Sequence, residues 1–296
     1  MNSIAAATRM GPVHLGVTDA TRSLRFYEDV VGLRQLSSVP DQIRHGAGER
    51  ELVVLEMDAS GPVQEGHSGL YHLAIVVPRR RDLAQLVRRL LVRGYPNSPT
   101  DHVQTKSDYL WDPDGNGLEI YAESPEDGSF RWDERGGFTA VDSQGRERSG
   151  RDPIDLEALL AELGLADALD QPLPPGSRVG HVHLHVSHLQ DAVDFYHGLV
   201  GFDVMGQSSR ARMAFVSAGG YHHHLGLNTW AGEGAPGQPA GAAGLRHFAI
   251  DLPTQAALEE VLERLGAAGV VTAPLGSAVE VRDPSGNRAR LAVRAP

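Results

Sequence analysis

Fourteen histidines and no cysteine occur in this chain of 296 residues, and many of the histidines fall where β-strands are expected. Side chains alternate between the two faces of a strand. In Gly180-His181-Val182-His183-Leu184-His185-Val186, one face carries His181, His183 and His185, and the other carries Val182, Leu184 and Val186. Read as a strand, Tyr221–Asn228 (YHHHLGLN) puts His222, His224, Gly226 and Asn228 on a polar face and His223 with Leu225 and Leu227. A five-imidazole face on two strands is more than a packed core requires. His72 opens a further strand, and Glu119 shares a face with Tyr121 in GLEIY. A carboxylate on such a face is costly to desolvate unless a cation or donors meet it. Two neutral imidazoles with one carboxylate are the ligand set of a non-haem Fe(II), which leaves positions for substrate and dioxygen. Pairing of Glu119 with an arginine is the structural alternative. The lack of cysteine excludes disulfides, thiolate metal sites and cysteine nucleophiles.

These residues sit on a repeat. VHLGVTDATRSLRFYEDVVGL, from Val13, matches VHLHVSHLQDAVDFYHGLVGF, from Val182, when Phe26-Tyr27 is aligned on Phe195-Tyr196. GLYHLAIVVP (69–78) leads to WDPDGNGLEIYAE (111–123), as GLRHFAIDLP (244–253) leads to RDPSGNRARLAV (282–293). Four related units of strand, helix and further strands predict an α+β fold of four βαβββ modules. Two mixed-sheet domains are expected, over 11–123 and 179–296, with a linker over 124–178 that carries one helix at 154–163. The Gly- and Pro-rich stretch 230–244 reads as a solvated loop, with a lid over the site as the alternative. DPDGNG and DPSGN are turn sequences and need no chemistry to explain them.

A formal net charge of −11 argues against a nucleic-acid surface, and Arg79-Arg80-Arg81 is too short to change that. No apolar run reaches membrane-spanning length. The first residues lack the basic start and apolar centre of a secretion signal, so a cytoplasmic location is expected. A homo-oligomer is expected.

GHVHLHV, GLYHLAI, DPDGNGLEIY and SAGGYHHHLGLNTWAG resemble the vicinal oxygen chelate superfamily, and within it the two-domain extradiol dioxygenases of catechol 2,3-dioxygenase type. The resemblance covers about residues 11–123 and 178–293. It implies cup-shaped sheets with metal ligands at the start of each module's first strand and on its last strand. Those positions hold Pro12, His72, His181 and His247, with Glu119 and Arg290 on the last strands of modules two and four. Arg290 cannot bind a metal, so the complete set at register is His72, Glu119 and His181, drawn from modules two and three. A site using His14 in place of Pro12, and a C-terminal site completed by His224, are the alternatives.

The resemblance further implies Fe(II), with Mn(II) as the alternative ion, and an aromatic diol and O2 as substrates. It implies a histidine acting as acid and base, for which His224 or His222 is the candidate. Tyr121 is a candidate to hydrogen-bond a substrate oxygen. His183 is read either as orienting a ligand or as structural, and His247, Tyr27 and Tyr196 as packing groups. A glyoxalase-like metal-dependent lyase or isomerase and a non-enzymatic aromatic-binding protein are the competing functions.

Overall fold

The computed structural model describes residues 3–132, 137–164 and 166–294. Module one is β1 (Arg9–Gly16), α1 (Ala20–Leu24), β2 (Arg34–Val39), β3 (Gln42–Ala47) and β4 (Arg50–Glu56). Module two is β5 (Gly69–Val77), α2 (Arg80–Arg93), β6 (Ser98–Asp101), β7 (Thr105–Trp111) and β8 (Gly117–Glu123). The segment that follows holds β9 (Gly128–Trp132), β10 (Phe138–Asp142), β11 (Glu147–Arg148), β12 (Asp152–Pro153) and α3 (Leu156–Leu160). Module three is β13 (Arg178–His185), α4 (Leu189–Val193), β14 (Asp203–Ser208), β15 (Met213–Ser217) and β16 (Leu225–Asn228). Module four is β17 (Gly244–Leu252), α5 (Gln255–Ala267), β18 (Ala273–Leu275), β19 (Ala278–Arg282) and β20 (Arg288–Val293).

Strand order shows how the modules pair. One sheet runs β18-β19-β20-β17-β1-β4-β3-β2, and the other runs β12-β6-β7-β8-β5-β13-β16-β15-β14. Module one therefore shares a cup with module four, and module two with module three. Each cup is built across the two halves of the chain. The seams are antiparallel, β1 against β17 and β5 against β13. Within each module the first strand lies parallel to the last.

Alternation along the seam strands sorts side chains between two environments. Val13, Leu15, Leu73, Ile75, Val182, Leu184, Phe248 and Ile250 join one apolar core that includes residues from all four modules. The opposite faces carry His14, His72, His181, His183 and His247. The first helices of modules one and three are short, because each passes into a π-turn, Arg25–Val31 and Asp194–Val200. Gly32 and Gly201, in the left-handed region at φ 91° and 100°, end these turns. The turns bury the two Phe-Tyr pairs. Tyr27 donates to Asp112 Oδ2 at 2.9 Å and Tyr196 to Asp283 Oδ2 at 3.1 Å. A buried hydroxyl without such a partner is costly; here the partners are the carboxylates of the two DP-turns. Sheet pairing joins modules one with four and two with three, and these tyrosines join one with two and three with four.

The 124–178 segment is more structured than a linker. Strands β9 to β11 form a small sheet of their own, and β12 adds to the edge of the second cup beside β6. Its helix is Leu156–Leu160 rather than 154–163, because Asp155 caps the start by accepting from Ala158 N–H at 2.9 Å. The 230–244 stretch is tied to the connection between modules one and two: Ser68 N–H donates to Pro236 O at 2.7 Å, and Gly61 bridges to Ala242. No helix among the described residues is long and apolar enough to cross a membrane.

Candidate active site

Three neighbouring strands of the second cup bring His72, Glu119 and His181 together. Ala74 of β5 lies opposite Glu119 of β8 on one side and His181 of β13 on the other. The small alanine between them leaves room for both longer side chains to converge. His72 stands two residues earlier on β5, on the same face. Its Nε2 is 3.1 Å from Glu119 Oε2, which is also 3.1 Å from His181 Nε2. The two Nε2 atoms are 3.3 Å apart. All three side chains are buried, at 5%, 3% and 3% exposure, so bulk water does not solvate the carboxylate.

This donor set fits a metal ion. Two imidazole nitrogens that face each other and the same carboxylate oxygen place three lone-pair donors around one point. Burial alone would raise the Glu119 pKa, but the imidazoles of His181 and His72 outweigh it and hold the carboxyl well below the usual carboxylate range. Burial lowers the pKa of His72, which keeps that imidazole neutral and able to ligate.

A layer of polar groups fixes the carboxylate. Ser107 on β7 donates to Glu119 Oε1 at 2.6 Å. Tyr109, directly across the ladder from Glu119, has its pKa pushed well up by burial and by the Glu119 charge. Its hydroxyl lies 2.8 Å from His102 Nε2, and His102 Nδ1 lies 2.6 Å from Gly150 O. A neutral His102 that donates from Nδ1 to the carbonyl accepts the tyrosine proton at Nε2. This run links the Glu119 side of the cup to the 124–178 segment.

His72, Glu119 and His181 open onto a cavity of about 360 Å³. Tyr71, Tyr109, His183, Phe215, His222 and His223 are among its walls, with Phe130, Phe138 and Arg151 contributed from outside the repeated modules. Trp132 packs edge-on to Phe215 at 5.8 Å and tilted against Phe138 at 5.1 Å, which joins the β9–β10 pair to the wall of the cup. Residues 230–244, read in sequence as the alternative lid, are absent from the described lining.

The remaining sequence candidates divide. His222 lines the cavity. His224 does not, among the described residues; its Nδ1 is 2.9 Å from Ser217 Oγ and accepts from Ala218 N–H at 3.2 Å. His223, assigned in sequence to the apolar side, faces the cavity with its ring 4.1 Å from that of His181 and stacked on Phe215 at 4.2 Å. The difference arises because residues 221–224 are not strand; β16 begins at Leu225, after Gly219 and Gly220 turn the chain at φ 62° and 74°. Tyr121 shares the Glu119 side of its strand but is wholly buried with its hydroxyl 2.5 Å from that of Tyr221, outside the lining. A Cβ at Gly180 would collide with that hydroxyl, so glycine is required there. His183 lines the cavity, and Gly226 makes room for it: a Cβ there would meet its ring at 2.7 Å. Tyr109, His102 and His223 are the neighbours that sequence reasoning missed. Alternation along Ser107-Asp108-Tyr109 was the available signal for Tyr109.

The first cup differs at the same register. Arg290 lies opposite Ala249 where the second cup has Glu119 opposite Ala74. It pairs with Glu280 at 3.2 Å.

A sequence model of the Glyoxalase/Bleomycin resistance protein/Dioxygenase superfamily matches residues 9–120 and 178–291. A catechol-2,3-dioxygenase of Bacillus subtilis (strain 168) is 38% identical over 287 residues, which is 96% of each chain. Among solved structures, a Bacillus subtilis protein provisionally named a dioxygenase superposes with a TM-score of 0.68 at 14% identity, covering 100% of this chain and 87% of that one. Glyoxalase I from Zea mays superposes with a TM-score of 0.56 at 17% identity, covering 96% and 92%. At such identities the structural likeness speaks for the fold.

Proposed function

This chain belongs to the Glyoxalase/Bleomycin resistance protein/Dioxygenase superfamily, and from that premise we propose that it is an extradiol ring-cleaving dioxygenase that inserts O2 into a catechol-type substrate at a non-haem Fe(II) held by His72, Glu119 and His181. The 38% identity to a catechol-2,3-dioxygenase over nearly the whole chain supports the reaction class.

The single observation that carries the reading is that the second cup brings one carboxylate, not two, to the converging histidines. Glu119 lies opposite Ala74, two residues after His72. The matching position in module three lies opposite His183, two residues after His181, and it is Gly226. Module three therefore offers no second carboxylate. A four-donor lyase or isomerase site of paired His and Glu is short of one ligand, whereas three donors leave room for a bidentate diol and dioxygen. A protein that only sequesters aromatics has no need of three converging buried ligands.

Fe(II) bound there would polarise the diol and hold dioxygen beside the ring. The chain's own groups do the rest. His222 and His223 are the candidates to take a diol proton and return it to the opening ring. Burial, with His181 nearby, holds the His222 pKa down at about 3, so the imidazole is neutral. Phe215, stacked on His223 with 13° between planes, fixes the orientation of that ring. Tyr71, edge-on to His183 at 5.1 Å, forms an aromatic wall against which a flat ring can pack. Phe130 and Phe138 close the cavity from outside the modules and limit the entry of water.

The test is anaerobic loading with Fe(II), followed by catechol and a panel of substituted catechols, and then air. A yellow ring-opened product is expected. No colour with any diol, from protein shown to hold one Fe(II), would overturn the reading. Parallel loading with Mn(II) settles which ion the site uses.

A further inference from the structure

We propose that the first cup carries a divalent transition-metal site of its own, formed by His14, Glu56 and His247. The residues that would reproduce the active-site register there are Pro12, Arg290 and His247, and only the last can bind a metal. One pleat further along the seam, a different set converges. His14 of β1 and His247 of β17 lie directly opposite each other in the antiparallel ladder. Their rings stack with centroids 3.7 Å apart. Glu56 of β4 lies opposite Gly16, two residues beyond His14, and therefore on the same face. His14 Nδ1 is 2.8 Å from Glu56 Oε1, and one ligating atom from each of the three side chains lies within 4.8 Å of the others.

The surroundings suit a cation. His14 and His247 are 7% and 3% exposed. The hydrogen bond to Glu56 accounts for His14, but His247 has no side-chain hydrogen bond among the described residues. An imidazole beside a carboxylate and stacked on a second imidazole is placed as a metal ligand would be. The cations nearest His247 do not forbid a metal. Arg290 pairs with Glu280 at 3.2 Å and Arg288 lies 3.9 Å from the same carboxylate, which offsets part of their charge.

The site would join strands from the beginning and the end of the chain, so its role is to staple module one to module four. Binding free energy at such a site appears as folding free energy. It lies in the other cup, with two of its three residues at a shifted register and with different neighbours, so either can fail without the other.

The test counts ions. Metal-free protein loaded with Co(II) and freed of excess should hold two ions per chain by mass spectrometry of the metal. His72→Ala, His247→Ala and Glu56→Ala should each hold one. Glu56 is at the rim of the cluster, so Glu56→Ala guards against a folding failure of His247→Ala. Independently, Co(II) should raise the melting temperature of His72→Ala, and it should not raise that of His72→Ala/Glu56→Ala. One ion per chain in the unmodified protein, or two retained in Glu56→Ala, would overturn the proposal.

Discussion

Two imidazole nitrogens at 3.3 Å, sharing one carboxylate oxygen, make the centre of the second cup a place where each ligand depends on the others. His72→Ala and His181→Ala should each lower Fe(II) binding by at least tenfold and abolish turnover, read by metal content and oxygen uptake. His222→Gln and His223→Phe should keep their iron and lose about 10²–10³ in kcat, the range expected for a lost general acid or base. Equal losses of iron and activity would place those residues among the ligands instead. Asp108, on the opposite face of β7 from Tyr109, titrates for a different reason. Burial pushes its pKa up to about 7, against the pull of the hydrogen bond from Asn97. A carboxyl raised in the folded state binds its proton more tightly there than in the unfolded chain. Its contribution is therefore fully present below about pH 4 and is lost as pH rises toward about 7. Asp108→Asn should raise the melting temperature at pH 8 and leave it nearly unchanged at pH 4, as calorimetry at the two values would show. The convergence of His72, Glu119 and His181 was legible in the sequence because their identity and register were fixed by repeated strands. The place of His223 on the cavity wall was not, because a period of two assigns faces only inside a strand, and residues 221–224 precede one.

At the level of elements, the repeat made the modules visible, and composition concealed what covers them. The 124–178 segment is polar and rich in glycine, which hid the aromatic residues of β9 and β10 that reach the cavity. Phe138→Ala should raise KM for a catechol several-fold while kcat stays within about twofold, since the ring bounds the substrate without touching the ligands. A matching fall in kcat would show that the segment also orders the acid–base residues. Gly226 can be read the same way, by the space it leaves. Gly226→Ala should displace the His183 ring and weaken substrate binding, measured as KM, without changing iron content. The π-turns explain why the first helices are short: a wider turn inserts Tyr27 and Tyr196 deep enough to reach the DP-turn carboxylates.

For the whole molecule, the candidate site belongs to neither half of the chain, because β5 and β13 meet at its centre. A ligand that binds only the folded state stabilises by mass action, about 4 kcal/mol when free ion exceeds its dissociation constant a thousandfold. Chelation should therefore lower the melting temperature, and the two halves should still unfold in one transition because a single core spans all four modules. Two separated transitions would show that the Tyr27 and Tyr196 links are stronger than the seams. The crossing of modules also constrains synthesis. Strand β1 leaves the ribosome well before its seam partner β17, which begins at Gly244. At roughly 5–20 residues per second, the nascent chain waits on the order of ten to fifty seconds with that edge open. A chaperone or an interim pairing must shield β1 during that interval, and ribosome-bound fragments ending before Gly244 are where such protection would be captured.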